Sequence, residues 1–559
     1  MSNKGLIVAV GFSLFLNLTG LRWGIPSGEY KGFYPGRGEN MSVVSEISPE
    51  YVKDSWQITR RGENLISRSV FNPIRSFHPD EHNIIKSISN MDPGKMDFNP
   101  HFFEYPSFFI YFTALILGLA SLAGLVKVTP DISFYMLNPG EMGRFFMAGR
   151  AGVVFLSVMG IILLYKAAEN FFDRKTAFLA ALMMGITPLY VINSHYMTVD
   201  IPMVFWITAC IYFLSMSWKS GRLSFFYLSA AAAGIAAGTK YPAASVCLIL
   251  PLFYAVMKGR ISGIFSRQAL TSLILAVLFF LITTPYSILS FPEFKRDLFY
   301  QVGIRGVGLG SSLAAMAGFC RNTVAAAGSG FSILAAVFLA GAVRALFTGK
   351  KPKLFLAGLF FSLLPVILSG STRYARYYLV ALPFASILAA LLIADILKGR
   401  SRSITAGVFI ALLMLFPLSK SLAYSFHMTR EDVRIEAARY VVSDIAAGSR
   451  IIFTSDPWIF EVPPVNPNDY HVEVIGMGSG LSKAERGSFL IIGELQHYLG
   501  YGSRNDEESR LIGEIGTYGY SLEKRFKRTP GFFTLKFDSD NTIHDMVYTH
   551  PAIYIFRKT

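Results

Sequence analysis

Residues 377–394 read YYLVALPFASILAALLIA, a run without a single charged side chain. A helix needs roughly 20 mostly apolar residues to cross the hydrocarbon core of a bilayer. This run meets that need, and the same pattern recurs outward from it, in GLIVAVGFSLFL at 5–16 and SLILAVLFFLITT at 272–284. Spans are expected near 5–21, 150–168, 177–193, 201–217, 224–238, 242–257, 269–290, 323–343, 354–370, 377–397 and 403–424, about eleven in all. Composition agrees. Hydrophobic residues make up 52% of the 559 and charged residues 16%, against about 25% charged in a soluble chain. The N-terminal run follows Lys4 and is not followed by a small-residue cleavage site, so it reads as the first span rather than as a signal peptide.

The net charge is +15. The Lys and Arg residues sit largely in short loops between apolar runs: Arg174-Lys175, Lys219 to Arg222, Lys258 to Arg267, Arg344 to Lys353 and Lys398 to Arg402. Each of these loops is two spans from the next, so all five share one side, the cytoplasmic side by the positive-inside rule. The basicity is thus topology, and no nucleic-acid partner is expected. The cysteines, Cys210, Cys247 and Cys320, form no CxxC and imply neither a zinc site nor a disulfide framework.

Lys4 and Arg174-Lys175 both belong inside, so an even number of crossings separates them. Of the three apolar stretches 5–21, 107–126 and 150–168, one does not cross. The choice falls on 107–126, as an interfacial or re-entrant helix. Pro106 suits a helix start. This leaves 22–149 as a large first external loop of a membrane domain 1–424. The segments 194–200, 239–241, 291–322 and 371–376 are also external. From 425 to 559 charges rise and long apolar runs stop. There TREDVRIEAARYVVSDIAAGS (429–449) has helical spacing, and RIIFT, HVEVIG, SFLIIG and AIYIF read as short strands of a small external α/β domain. The expected class is therefore a polytopic α-helical membrane protein with a C-terminal soluble α/β domain. The glycine run GVGLGSS (306–312) reads as a loop, because it lacks the strand and helix that would make it a phosphate cradle.

The first external loop holds FHPDEHN, with His78, Asp80, Glu81, His82 and Asn83. Adjacent carboxylates between histidines can act as a base or hold a metal. On chemistry alone the blander reading, a solvated acidic loop, is the favoured one. Asp200, in MTVDIP, reads first as a helix N-cap and second as a substrate or metal contact. His195 and Tyr196, just before it, read as structural residues at a helix end. Lys240, Arg373 and Arg376 lie on the expected external side, against the charge bias. Each can snorkel, or can meet a lipid phosphate, where Arg binds bidentately and Lys acts as a point charge. The loop 291–322 adds Lys295, Arg296, Arg305 and Arg321.

Taken in order, these elements resemble the GT-C membrane glycosyltransferases, nearest to the branch with the protein O-mannosyltransferases and the lipid A aminoarabinose transferases. HPDE (78–81) is similar to that family's acidic motif, and FFEYPSFFIYF (102–112) to its second loop element. The stretch 149–202 is similar to its next two spans and acidic turn. GTKYPA (238–243), RYYLVALPF (376–384) and TREDVRIEAARYVVSDIAAGSRI (429–451) also have counterparts.

The resemblance implies a GT-C fold and a sugar donor carried on a polyprenyl phosphate. It implies that Asp80 is the catalytic carboxylate, deprotonating or orienting the acceptor hydroxyl, with Glu81 in support. Glu104 matches an acidic position for metal or substrate contact. Tyr105 stands where the aminoarabinose branch has a lysine for the lipid phosphate. A divalent metal is compatible with this chemistry, with Glu104 and His78 as candidate ligands.

The expected activity is inverting transfer of a sugar to a hydroxyl or phosphate of an extracytoplasmic lipid, protein or glycan. The setting would be a bacterial inner or other plasma membrane, with the site facing outward and membrane lipids as neighbours. The alternative is a transporter or flippase of lipid-linked or small solutes. It would be favoured by ionisable residues within spans, of which the sequence offers few; Lys166, Glu169 and Asp395 lie near span ends.

Overall fold

The described parts of the stretches expected to span are largely helical, for the reason that decided the sequence reading: these segments are mostly apolar, and a helix satisfies its own backbone groups where lipid offers none. The computed structural model describes residues 4–33, 73–305, 313–369, 374–399, 404–455, 457–497, 503–537 and 542–559. Among the described residues, six helices are long and apolar enough to cross a membrane: Pro139–Phe171, Asp200–Ser220, Tyr241–Lys258, Lys350–Leu368, Ala375–Lys398 and Gly407–His427. Thr323–Phe331 and Leu334–Ala345 make a seventh, bent by 111°. Lys4–Leu18, Phe108–Leu122, Leu223–Ala237 and Arg267–Thr283 are apolar but shorter. The stretch 177–193 is broken into Arg174–Ile186 and Pro188–Asn193, because Pro188 lacks the N–H that would continue the first helix. The expected external loop 291–322 is largely helical, in Phe291–Arg305 and Leu313–Phe331. The glycine run 306–312 lies outside the described residues.

By its contacts the chain divides into two compact units. The first comprises Met1–Thr19, Ser87–Ala114 and Arg150–Ser425, and the second Gly20–Lys86, Leu115–Gly149 and Phe426–Thr559. Parts of the long first connection therefore group with the C-terminal residues and not with the helices on either side of them.

The first unit is a helical bundle with two chemically distinct ends. The basic loops meet at one of them. Lys219 Nζ donates to Asn170 Oδ1 at 3.2 Å, Lys351 Nζ to the carbonyl of Phe171 at 3.0 Å, and Lys398 lies 3.9 Å from Asp173. Ser217 reaches Met257 from the neighbouring turn. The bent pair runs from one end to the other. Its start is tied to Tyr378, whose hydroxyl donates to Thr323 Oγ1 at 2.9 Å, and its finish to Asp395 through Arg344 at 3.4 Å. The pair is thus one broken span and not a loop that turns back.

Close packing in the bundle depends on small residues, as is usual where lipid offers no hydrophobic drive. Leu223–Ala237 contains SAAAAGIAA, and it packs between Asp200–Ser220 and Arg267–Thr283. A Cβ at Gly234 would lie 2.2 Å from the carbonyl oxygen of Ala276, and one at Gly238 2.2 Å from Thr283 Oγ1.

The second unit is built on a five-stranded sheet. Its strands are β1 (Arg450–Phe453), β2 (His471–Val474), β3 (Phe489–Gly493), β4 (Tyr520–Phe526) and β7 (Ile553–Lys558), in the order β2-β1-β3-β7-β4. The first three strands are parallel, and β7 is antiparallel to both β3 and β4. Gly531–Phe532 (β5) and Leu535–Lys536 (β6) form a separate ribbon. Alternate side chains point to opposite faces. Ile451, Phe453 and Ile491 pack with Val433, Ala437 and Val441 of the helix Val433–Asp444. On the other face Ile452, Leu490 and Ile492 pack with Leu511 and Ile515 of the helix Arg504–Thr517. The four predicted strands and the first helix all form. The edge strand β4 carries an exposed, charged sequence and was not legible as a strand. Charge on an edge is a common guard against unwanted pairing.

Candidate functional site

In the first unit the candidate residues gather at the end of the bundle opposite the basic loops. Asp200 is the first residue of its helix, with Val199 at the cap position. Its carboxylate therefore sits at the positive end of the helix dipole and accepts from Lys240 Nζ at 2.6 Å. Both side chains are buried, 2% and 5% exposed. An isolated charge would be strongly disfavoured at such a depth, and pairing is what makes this burial tolerable. Lys240 can reach Asp200 because its helix ends at Gly238, the glycine pressed against Thr283. Its ammonium lies 5.4 Å from the centre of the Tyr377 ring. The Tyr377 ring meets that of Tyr374 at 5.6 Å, and the Arg376 guanidinium stacks over Tyr374 at 4.5 Å. Arg376 is buried in the 3-10 turn Ala375–Ala381, which packs against the Asp200 helix. Asp200, Lys240 and Arg376 thus share one neighbourhood through two tyrosines.

The segment around Glu104 joins the same end. Tyr241, next to Lys240, donates to the carbonyl of Phe103 at 2.6 Å, and Phe108 N–H donates to the carbonyl of Gly238 at 3.1 Å. Glu104 accepts from Gln301 Nε2 at 2.8 Å. Asp297 accepts from Phe103 N–H at 2.9 Å and from Arg296 Nε at 2.8 Å. The Tyr105 ring packs edge-on against Phe102. His195 is buried at a helix end, its two ring nitrogens facing the carbonyls of Val191 and Thr19 at 2.8 and 2.9 Å.

The second unit contains the acidic motif. Glu81 opens the helix Glu81–Ser89 and is fully buried. It accepts from Ser76 Oγ at 2.6 Å. Asp80, just before the helix, is half-buried. Its N–H donates to His78 Nδ1 at 3.2 Å, which assigns the proton of a neutral imidazole to Nε2. Burial first, then the charges of Arg75 and Lys86, holds the neighbouring His82 well below the usual histidine range.

The loop rests on C-terminal residues. His78 packs edge-on to Tyr548 at 5.3 Å, and Arg75 stacks over Trp458 at 4.8 Å. Phe77 lies under the guanidinium of Arg434 at 4.2 Å. Arg434 is completely buried and binds Asp432 in two places, Nε to Oδ1 and Nη2 to Oδ2, each at 2.7 Å. It also donates to the carbonyls of Phe460 and Tyr548. Asp432 accepts from Trp23 Nε1 at 3.1 Å and caps the helix Val433–Asp444. The approach needs Gly24, which has φ +61 and would place a Cβ 2.8 Å from that of Phe77.

The sequence-derived candidates therefore separate into two groups. Asp200, Lys240, Arg376, Glu104 and Tyr105 belong to the first unit, and His78, Asp80 and Glu81 to the second. Arg373 lies outside the described residues. The capping reading of Asp200 is corrected: it is the first helical residue, and its carboxylate takes Lys240. Among the described residues no three His, Cys, Asp or Glu side chains come together in a way that could hold a metal ion, so Glu104 and His78 do not form part of such a set. The supporting roles of Arg434, Asp432, Tyr548 and Asp297 were not read from the sequence. The one available signal was the spacing of Asp432 and Arg434 at the start of a helix.

The fold defines a multi-pass membrane chain, with apolar helices in one unit and an α/β sheet in the other. Residues 142–289 match the family described as dolichyl-phosphate-mannose-protein mannosyltransferase, so the resemblance to GT-C glycosyltransferases is borne out over that stretch. It contains Asp200 and Lys240. No curated protein sequence matches the chain.

Among solved structures, the oligosaccharyltransferase of Archaeoglobus fulgidus with zinc and sulfate is 13% identical, over 94% of this chain and 72% of that one, with a TM-score of 0.47. AglB of the same organism, with an inhibitory peptide and a dolichol-phosphate, is 13% identical over 83% and 64%, TM-score 0.45. ArnT from Cupriavidus metallidurans bound to undecaprenyl phosphate is 11% identical over 99% and 98%, TM-score 0.41.

Proposed function

We propose that this chain is an inverting glycosyltransferase. It would move a sugar from a polyprenyl-phosphate donor to a hydroxyl or phosphate of an acceptor on the outer side of a plasma membrane. The observation that carries the reading is the buried pair of Lys240 and Asp200 beside Arg376, partly within the segment that matches the mannosyltransferase family. Two cations at the end of the bundle opposite the basic loops are what a lipid phosphate at the membrane boundary requires. Lys240 is held by Asp200 and Arg376 by its tyrosine. Both are therefore preorganised, and preorganised charge is worth most where charge develops in the transition state.

In the proposed reaction the acceptor oxygen attacks the anomeric carbon from the side opposite the phosphate. The bond from that carbon to the phosphate oxygen breaks as the new bond forms, and the configuration inverts. By the family resemblance, the acceptor's proton passes to the Asp80 carboxylate. Lys240 and Arg376 stabilise the charge left on the polyprenyl phosphate. Glu81, fixed by Ser76, supports the loop that presents Asp80.

The transporter reading calls for ionisable groups along crossing helices. Lys166 pairs with Glu169 at 3.1 Å, Arg344 with Asp395 at 3.4 Å at the basic end, and Lys420, within Gly407–His427, donates to the carbonyl of Ser329 at 2.8 Å, so each of these groups is held by the protein itself.

The test is a mass profile of lipids and surface glycans from a deletion strain of the native host. Rescue with the wild-type chain should restore a sugar-sized mass to one lipid or glycan. Rescue with Asp80→Asn, expressed at equal level, should not. Full restoration by Asp80→Asn would remove Asp80 from the mechanism, and an unchanged profile on deletion would remove the glycosyltransferase.

A further inference from the structure

The sheet of the second unit has a point where its connections reverse direction. From β1 the chain passes to β2 on one side and then crosses to β3 on the other, giving the order β2-β1-β3 with all three strands parallel. In open α/β sheets ligands bind in the crevice beyond the carboxyl ends of the strands at such a switch point. A cavity of about 300 Å³ lies there. Glu494 and His497 of its wall directly follow β3. His497 Nε2 lies 3.1 Å from Oγ1 of Thr454, the residue after β1, and Gln496 donates to Ser455 at 2.9 Å. Side chains thus knit the two strand ends together under the cavity. Met477, a few residues beyond β2, forms another part of the wall, and the helix Arg504–Thr517 supplies much of the rest.

The chemistry of the wall narrows the ligand. Glu494, Glu507, Glu508 and Glu514 face the cavity together with Arg504 and Arg510. Arg504 holds Glu494 through two bonds of 2.5 and 2.7 Å, and Ala552 N–H donates to the same carboxylate at 2.7 Å. Glu508 takes Arg525 at 2.5 Å and Lys527 at 3.2 Å. The four carboxylates are therefore balanced by four cations, and a charged ligand would find no net opposite charge to replace its hydration. A wholly apolar ligand would be no better matched: it could pack on Met477, Leu511 and Tyr554, but it would strip water from the charged groups around them without replacing their hydrogen bonds. What fits is an uncharged molecule with many hydroxyls, each able to donate to a carboxylate and accept from a guanidinium. The volume is at the lower end of the range for small-molecule sites and suits a mono- or disaccharide.

We infer that this crevice binds a neutral saccharide, the glycan portion of the acceptor. Its assignment to the acceptor rests on the glycosyltransferase reading above; its preference for a sugar rests on the crevice alone. The full chain in detergent is mixed in turn with methyl α-mannoside, methyl β-glucoside, methyl β-galactoside and methyl N-acetyl-β-glucosaminide, and binding is read by saturation-transfer difference NMR. At least one glycoside should show transfer to its ring protons. Met477→Trp, which fills the cavity, should abolish the signal. Glu507→Gln, which keeps the shape and removes one charged acceptor, should weaken binding about tenfold or more. Asp80→Asn should leave it unchanged.

The inference is overturned if no glycoside gives a signal, if both crevice variants bind as the wild type does, or if Asp80→Asn abolishes binding. If a glycoside binds in the crevice but deletion of the gene leaves every glycan and lipid mass in place, the sugar site stands and the glycosyltransferase reading fails.

Discussion

Arg434 is the residue on which the acidic loop most depends. It is buried with Asp432, stacks on Phe77 and donates to the carbonyl of Tyr548, whose ring packs on His78. Breaking a buried ion pair by removing one partner costs about 3–5 kcal/mol, because the remaining charge is left buried and uncompensated. Arg434→Met should therefore destabilise the second unit by about that amount and raise hydrogen exchange in 73–89 and 426–444 together. Asp432→Leu added to Arg434→Met should recover part of the loss, since no lone charge remains. Arg434→Lys should be intermediate, as it keeps the charge but cannot hold Asp432 in two places. If exchange rises in 426–444 alone, Arg434 does not support the loop. Tyr30 stacks on Phe77 in the same cluster, and burial, then the charge of Asp432, pushes its phenol up to about 12.

Among the elements, the helix Leu223–Ala237 does the most with the least chemistry. It has almost no polar side chains, yet its alanines and Gly234 let it pack closely between Asp200–Ser220 and Arg267–Thr283, and the turn after it carries Lys240 to Asp200. A leucine at Gly234 would press on the carbonyl of Ala276. Overpacking of this kind typically costs about 1–3 kcal/mol. Gly234→Leu should lower the unfolding temperature of the detergent-solubilised chain and, by shifting the end of its helix, weaken rescue of the deletion strain as well. Leu228→Ala, at an exposed position of the same helix, should do neither. Equal loss from both variants would mean that close approach is not what Gly234 provides.

At the scale of the whole molecule the two ends of the bundle make a topological prediction. Single cysteines replacing Ser220 and Thr348, in a chain whose own cysteines are changed to serine, should be labelled by an impermeant thiol reagent from the same face. Ser290 should be labelled from the other face. Thr348 lies beyond the bent pair, and Ser290 before it. The outcome follows because that pair runs from Tyr378 to Asp395 and so crosses. Labelling of Ser220 and Thr348 from opposite faces would refute the crossing.

Much of this was determined by the sequence itself. The apolar runs became helices, the basic loops met at one end of the bundle, and RIIFT, HVEVIG, SFLIIG and AIYIF became strands, because periodicity, hydropathy and charge act on neighbouring residues. The same locality explains what was missed. The charged strand β4 has no apolar alternation to reveal it, and the break at Pro188 interrupts a run that is apolar on both sides. Only the tertiary structure decided which side chains meet. Lys240 finds Asp200 across 40 residues of chain, and Trp23 finds Asp432 across 409. Partner choice over such separations depends on how closely helices pack and where a sheet ends. It was therefore the packing, and not any motif, that seated HPDE on C-terminal residues and opened a crevice at the end of β3.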